Sequence, residues 1–345
     1  MRDHTPLVRS AGLTAVALLL AGCGHAVLDP AGDVALQQRD IIFISTGLML
    51  LIIVPVMILI VLFAWRYRKS NDEATYDPHF EHSTSLELVI WAAPLAIIIA
   101  LGALTWSSTH LLDPFRPLDR IAAGRPIDKT KPLHIQVVAL DWKWLFIYPE
   151  QGIATVNELA LPVDRQVRFD ITSSNMMNSF YAPTMAGMVY AMPGMQSTLH
   201  AVLNKPGTYE GMSANYSGAG FSDMRFRLRG LSQQDFDNWV AHVKTSGRTL
   251  SAADYLKLEK PSEKVAPIGF VAVQPDLFDR VVNRCVAPGT PCMRDVMAHD
   301  RMAEGQPNID KPRALPPGKT KPNSPQNRDM SLLLPATARG LRSPA

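Results

Sequence analysis

Cysteine is scarce in this chain: three occur in 345 residues, and none lies between residues 24 and 284. That excludes a disulfide-built scaffold and any multi-cysteine cluster. With a net charge of +3 and 19% charged residues there is no basic stripe, and no nucleic-acid-binding motif occurs, which sets DNA and RNA aside. Charge is also missing locally, from residues 41–65 and again from residues 88–109, and aromatics are missing from the last forty residues. So uneven a distribution excludes a single soluble globule.

Arg2 and Arg9 precede an apolar stretch, Leu13 to Leu20, that is too short to span a bilayer and is closed by Leu20-Ala21-Gly22-Cys23. This order predicts a signal peptide over residues 1–22. The Leu-Ala-Gly-Cys string resembles the bacterial lipobox, in which the cysteine receives an acyl (palmitate) lipid and becomes the mature N-terminus. Cys23 is therefore expected to be the lipidation site; the alternative is a buried free cysteine after an ordinary cleavage site.

The two charge-free runs predict transmembrane helices at 41–65 and 86–109, because each covers a hydrocarbon core of about 30 Å at 1.5 Å per residue. Pro55 and Pro94 lie inside them, which neighbouring helices accommodate in lipid. Trp65 and Trp106 fit interfacial anchors. Arg66, Arg68 and Lys69 follow the first run at once and place the 66–85 loop in the cytoplasm. Residues 23–40 and everything after about residue 110 then lie in the periplasm, in agreement with a lipid on Cys23.

Past a Pro-rich connector at 110–131, hydrophobic residues alternate: Ile135, Val137 and Ala139; Val167, Phe169 and Ile171; Leu199, Ala201 and Leu203; Met224, Phe226 and Leu228. Period two predicts half-buried strands, separated by turns such as Pro193-Gly194 and Asn204-Lys205-Pro206-Gly207, so residues 132–230 read as an all-β sandwich. From 231 to 284 the expectation is helical. Ser232 caps a helix with Asp235 in its first turn, Phe236, Trp239, Val240 and Val243 share a face, the pattern runs to Lys260, and Asp276 to Val281 suggests another short helix. Residues 285–345 read as a largely disordered Pro-rich tail, with ten prolines after residue 287. The fold class is membrane-anchored α+β: a helix hairpin, a periplasmic sandwich and C-terminal helices.

A secreted sandwich with many methionines raises the question of copper. Electron-transfer copper sites combine thiolate sulfur with imidazole nitrogen. The β region offers no cysteine, and only His134 and His200, far apart in sequence. Its methionines, among them Met176, Met177, Met185, Met188, Met192 and Met195, are core filler or soft copper(I) ligands. The residue inventory cannot build an electron-transfer copper site.

Three segments are more specific: Asp141-Trp142-Lys143-Trp144, Ile147-Tyr148-Pro149-Glu150-Gln151-Gly152-Ile153-Ala154-Thr155-Val156-Asn157-Glu158 and Met177-Asn178-Ser179-Phe180. Over Cys23 to about Asp279 the chain resembles subunit II of the haem-copper terminal oxidases, in the branch of the cytochrome bo-type ubiquinol oxidases. The resemblance implies a cupredoxin-like Greek-key sandwich. In the cytochrome c oxidase branch this domain holds a binuclear copper centre. Here its ligand positions fall on Asn178, Ser213, Asn215, Ser217 and Phe221, with Met224 alone retained, so the resemblance implies a domain that binds no copper and does not serve cytochrome c.

The resemblance also implies partners and cofactors. Subunit I would hold two haems, one copper and the ubiquinol site, with subunits III and IV completing a complex in the bacterial inner membrane. This chain would contribute no catalytic centre. Glu87, at the cytoplasmic start of the second run, admits two readings. Thr84 and Glu87 fit a capping box, with Thr84 as the cap; the resemblance implies instead that Glu87 lines a proton entrance. Trp142 and Trp144 are expected to pack, at the contact with subunit I. Cys285 and Cys292 are expected to form a disulfide, the alternative being a metal site with Met293, Met297 or His299. A competing function is a membrane-anchored periplasmic binding or copper-handling protein that keeps the fold.

Overall fold

The computed structural model describes residues 26–303 except 76, 78, 80, 128 and 129. Cys23, the signal segment and the Pro-rich stretch after residue 303 lie outside the described residues. Helices α1 (Asp33–Arg66) and α2 (Thr84–Leu111) carry the two charge-free runs. At 34 and 28 residues they measure about 51 and 42 Å, longer than a hydrocarbon core of about 30 Å. Their apolar side chains face outward, as in Val61, Leu88, Trp91 and Trp106, which suits solvation by lipid. Pro55 and Pro94 sit within the helices without ending them.

The α1 helix begins ahead of the apolar run because its first turn belongs to the sandwich. Ala31 and Gly32 donate to the Thr184 carbonyl at 2.7 and 2.9 Å, and Ala31 and Val34 are buried in its core.

A short ribbon in the connector pairs β1 (Arg120–Ala122) with β2 (Arg125–Pro126). The strands that follow are β3 (Leu133–Leu140), β4 (Lys143–Tyr148), β5 (Ile153–Val156), β6 (Glu158–Pro162), β7 (Gln166–Ser173), β8 (Asn178–Tyr181), β9 (Val189–Ala191), β10 (Ser197–Val202), β11 (Gly207–Ser213) and β12 (Arg225–Leu231). Beyond them come β13 (Thr249–Leu250), β14 (Ile268–Phe270) and β15 (Ala272–Val273). One sheet has the order β10-β7-β3-β4-β5-β14 and faces a second, β6-β12-β11-β8-β9. Strand β3 runs parallel to β7, and β12 to β6, while their other neighbours are antiparallel. Each alternating set read from the sequence contributes to the space between the sheets, where Trp144, Phe146, Phe180 and Phe226 pack with ring centroids 5.1–6.4 Å apart.

The 231–284 region differs from the helical expectation. Ser232 does cap α3 (Gln233–Lys244), accepting from the Asp235 amide at 3.1 Å, and Phe236, Trp239, Val240 and Val243 are buried. The helix then stops, because Gly247 turns the chain at φ +72° and β13 pairs with β15. Helices α4 (Ala252–Glu259) and α5 (Leu277–Val282) follow, and β14 extends the first sheet beside β5. This lobe covers the outer face of the first sheet and builds a second core from Val138, Leu145 and Ile147 with Tyr255, Phe270 and Phe278. Nor is the segment from residue 285 without structure up to residue 303: it contains the Cys285–Cys292 disulfide and helix α6 (Met293–Ala303). Proline content had assigned this segment to the tail, yet its prolines lie mostly beyond the helix.

Candidate functional site

Two places carry the chemistry. The first is the start of α2. Ser83 precedes the helix in extended conformation, Thr84 is already helical, and no side chain caps the end. Ser83, not Thr84, supplies the carbonyl that the Glu87 amide reaches at 2.9 Å. The expected capping box is not formed, because it needs the cap residue three positions before the glutamate. The Glu87 carboxylate turns to His82 instead, with Oε1 and Nδ1 2.5 Å apart. His82 escaped the sequence reading; its signal was an imidazole five positions ahead of a carboxylate at the membrane edge.

The second place is the tip of the sandwich, which gathers most of the expected copper-ligand positions. Asn178 opens β8 and is buried; its amide donates to the Met176 carbonyl at 3.0 Å and accepts from Ser213 Oγ at 3.2 Å. Asn215 donates to the Met177 carbonyl at 3.0 Å. Ser217 faces another neighbour: its carbonyl accepts from the Trp142 indole at 3.0 Å, while its buried hydroxyl has no hydrogen-bond partner among the described residues. Phe221 stacks edge-on against Tyr216 with centroids 5.6 Å apart, and Met224 is wholly buried in the core.

These are two amides, two hydroxyls, a phenyl ring and one thioether, and the amides and one hydroxyl are engaged with one another or with carbonyls. A binuclear copper centre needs bridging thiolates and imidazoles. The donor set does not fit that group. Among the described residues no cluster of three or more His, Cys, Asp or Glu occurs elsewhere. The two sandwich histidines are brought nearer than their sequence separation suggests, since both lie in register with Arg168, which stands between them. His134 bonds Asp170 at 2.7 Å. Burial raises the Asp170 carboxyl, but the hydrogen bond and charge of His134, with Arg168, outweigh it and hold the group below the usual carboxylate range. Of the methionines, Met185 and Met224 fill the core, whereas Met176, Met177, Met188 and Met195 are exposed.

The two tryptophans part company. Trp144 is fully buried between the sheets, so it cannot pack against another subunit as expected for the pair, and Trp142 lies outside the strand that carries it. Trp142 sits at φ 64°, a conformation rare for a bulky residue, and lies over Gly218 and Gly220. Between them the sequence reading missed Lys143. It is buried, donates to the Asp141 and Lys260 carbonyls and to Ser262 at 2.7–3.1 Å, and so ties the sandwich to its C-terminal lobe. Burial lowers its pKa, with Asp141 opposing.

A family described as the periplasmic domain of cytochrome c oxidase subunit II matches residues 134–230, and one described as the COX aromatic-rich motif matches residues 244–289. Over 267 residues the chain is 51% identical to cytochrome bo(3) ubiquinol oxidase subunit 2 of Pseudomonas putida, covering 77% of this chain and 82% of that one. The chain belongs to the subunit II family of the haem-copper quinol oxidases. Ubiquinol oxidase subunit 2 of Acetobacter aceti is 48% identical over 279 residues, covering 81% of this chain and 88% of that one. Among solved structures, the periplasmic domain of cytochrome oxidase subunit II of Bradyrhizobium japonicum superposes with a TM-score of 0.33 at 21% identity, over 34% of this chain and 98% of that one. Family membership makes the sandwich cupredoxin-like and its second lobe the aromatic-rich motif. Together with two long apolar helices, it describes a membrane-anchored subunit with a periplasmic domain.

Proposed function

We propose that this chain is the second subunit of a proton-pumping ubiquinol oxidase in a bacterial inner membrane, anchored there by α1, α2 and a lipid on Cys23. It carries no redox centre. Subunit I would hold two haems, one copper and the quinol site, with subunits III and IV as further neighbours; this chain would brace subunit I and cover its periplasmic face. The observation that carries the reading is the tip of the sandwich, where every thiolate and imidazole position of a copper centre is occupied by an amide, a hydroxyl or a phenyl ring. Electrons would therefore enter the complex through quinol rather than through this domain.

Glu87 would pass cytoplasmic protons into subunit I. Support comes from its place at the charge-free run, its release from a capping role and the close approach of the His82 ring, a partner able to take or give a proton. The test is turnover of the purified complex with ubiquinol and, separately, with reduced cytochrome c. Quinol alone should support oxygen uptake, and Glu87→Gln, which cannot carry a proton, should lower that rate about tenfold or more while Glu87→Asp retains part of it. Full turnover in Glu87→Gln would remove the proton role, and oxygen uptake from cytochrome c would remove the whole assignment.

A further inference from the structure

The turn between β9 and β10 contains Met192-Pro193-Gly194-Met195. It is closed by the Met195 amide on the Met192 carbonyl at 3.3 Å, with Gly194 at φ +75°. Thr172 donates to both methionine carbonyls, at 3.3 and 2.7 Å, so the two ends of the turn are pinned to one hydroxyl. Its neighbour Ser173 pairs in register with Pro193 and donates to the Met176 carbonyl, which brings a third methionine to the same place. A fourth arrives from the C-terminal lobe. Met293 lies over the turn, its Sδ 3.4 Å from where a Cβ on Gly194 would stand. The Met293 backbone is fixed by the Cys285–Cys292 disulfide one residue earlier and by its amide bond to the Asn283 carbonyl.

Core packing does not explain this gathering. Met176 and Met195 are 50% and 55% exposed, and Met192 and Met293 are half-buried, whereas Met185 and Met224, which fill the core, are wholly enclosed. Four unbranched, adaptable side chains thus issue from three separate segments at the surface. Thioether sulfur is neutral and soft: it offers a hard divalent cation no charge and selects copper(I) among biological metals. The stem of Arg284 also reaches Gly194, at 3.9 Å, but its charge is answered by Glu259. None of these methionines is a position of the lost binuclear centre, so the cluster is a separate site.

We propose that the turn from Met192 to Met195 is a copper(I) site, with the thioethers of Met192, Met195 and Met293 as ligands and Met176 within reach as a fourth. Exposure leaves one side of the ion open to a partner's donors, which suits a holding site that takes up and hands on copper(I). With neither thiolate nor imidazole in the set, the ion is cargo and not an electron carrier.

The test uses the full chain in detergent, with its disulfide closed and its free thiols alkylated. It is titrated with silver(I), a soft ion that needs no reductant, and anaerobically with copper(I) against a coloured chelator. One ion should bind per chain, and X-ray absorption should show sulfur neighbours only. The double variant Met192→Leu with Met195→Leu, and Met293→Leu by itself, should each weaken binding about tenfold or more. Leucine conserves the side-chain volume, and an unchanged thermal midpoint verifies the fold. Met188→Leu and Met212→Leu, away from the turn, should bind as the parent chain does, and zinc(II) should not compete. Absence of binding to the parent chain, equal binding by the turn variants, a loss in either control, nitrogen or oxygen ligands, or displacement by zinc(II) would each overturn the proposal.

Discussion

Arg120 donates through Nε to the Asp33 carboxylate at 2.9 Å, joining the first turn of α1 to the connector ribbon across 87 positions of sequence. The pair is lopsided: the Asp33 side chain is 4% exposed and that of Arg120 38%. Gln37 gives the carboxylate a second bond at 2.7 Å. Removing the arginine leaves a buried charge with only an amide beside it, whereas removing the aspartate leaves a guanidinium that water reaches. Arg120→Gln should therefore cost about 2–3 kcal/mol and Asp33→Asn about 1 kcal/mol. Thermal unfolding of the full chain in detergent checks the order; equal losses would show that the burial asymmetry has no energetic consequence.

Gly220 is held against the Trp142 ring so closely that a Cβ there would stand 2.5–2.7 Å from three ring atoms. Both partners are constrained, since Trp142 is fixed at a positive φ and its indole is tied to Ser217. Gly220→Ala should destabilise the 213–224 loop by about 1–3 kcal/mol, the range for overpacking a fitted contact. Faster amide exchange in that loop, with a change in tryptophan emission, is the expected result; unchanged exchange would mean that the ring moves aside freely.

Cys285 and Cys292 close a short loop, with Cys285 itself almost fully buried. Mass spectrometry without reductant should find the chain lighter by two hydrogens. By loop entropy a ring of this size contributes about 2–3 kcal/mol, so Cys292→Ser should loosen residues 283–293 by up to that amount while leaving the sandwich core intact. The Met293 amide bond to the Asn283 carbonyl, 2.9 Å in the structure, would be among the first to exchange. A full-mass chain would contradict the bridge.

What was legible in advance follows from which side of each element is buried. Strands β3, β7, β10 and β12 announced themselves by alternation because at least part of their outer face meets water, as with Arg225, Arg227 and Arg229. Strand β4 did not. All six of its residues are buried, Trp144 and Phe146 between the sheets and Leu145 and Ile147 under the C-terminal lobe, so no period survives. Four apolar positions on the outer side of β3 and β4, Val138, Leu140, Leu145 and Ile147, were the local hint of that second layer.

The amino-acid order alone determined the two membrane runs, the cap of α3 and the lack of thiolate and imidazole at the sandwich tip, because hydrophobic length, a cap three residues from its amide and an inventory of donors are all local properties. Tertiary structure decided the rest. That Glu87 meets His82 instead of capping its helix, that Trp142 and Trp144 serve different surroundings, and that Asp33 is closed by Arg120 all depend on how the backbone enters an element or on partners distant in sequence, and neither leaves a mark on the spacing of residues.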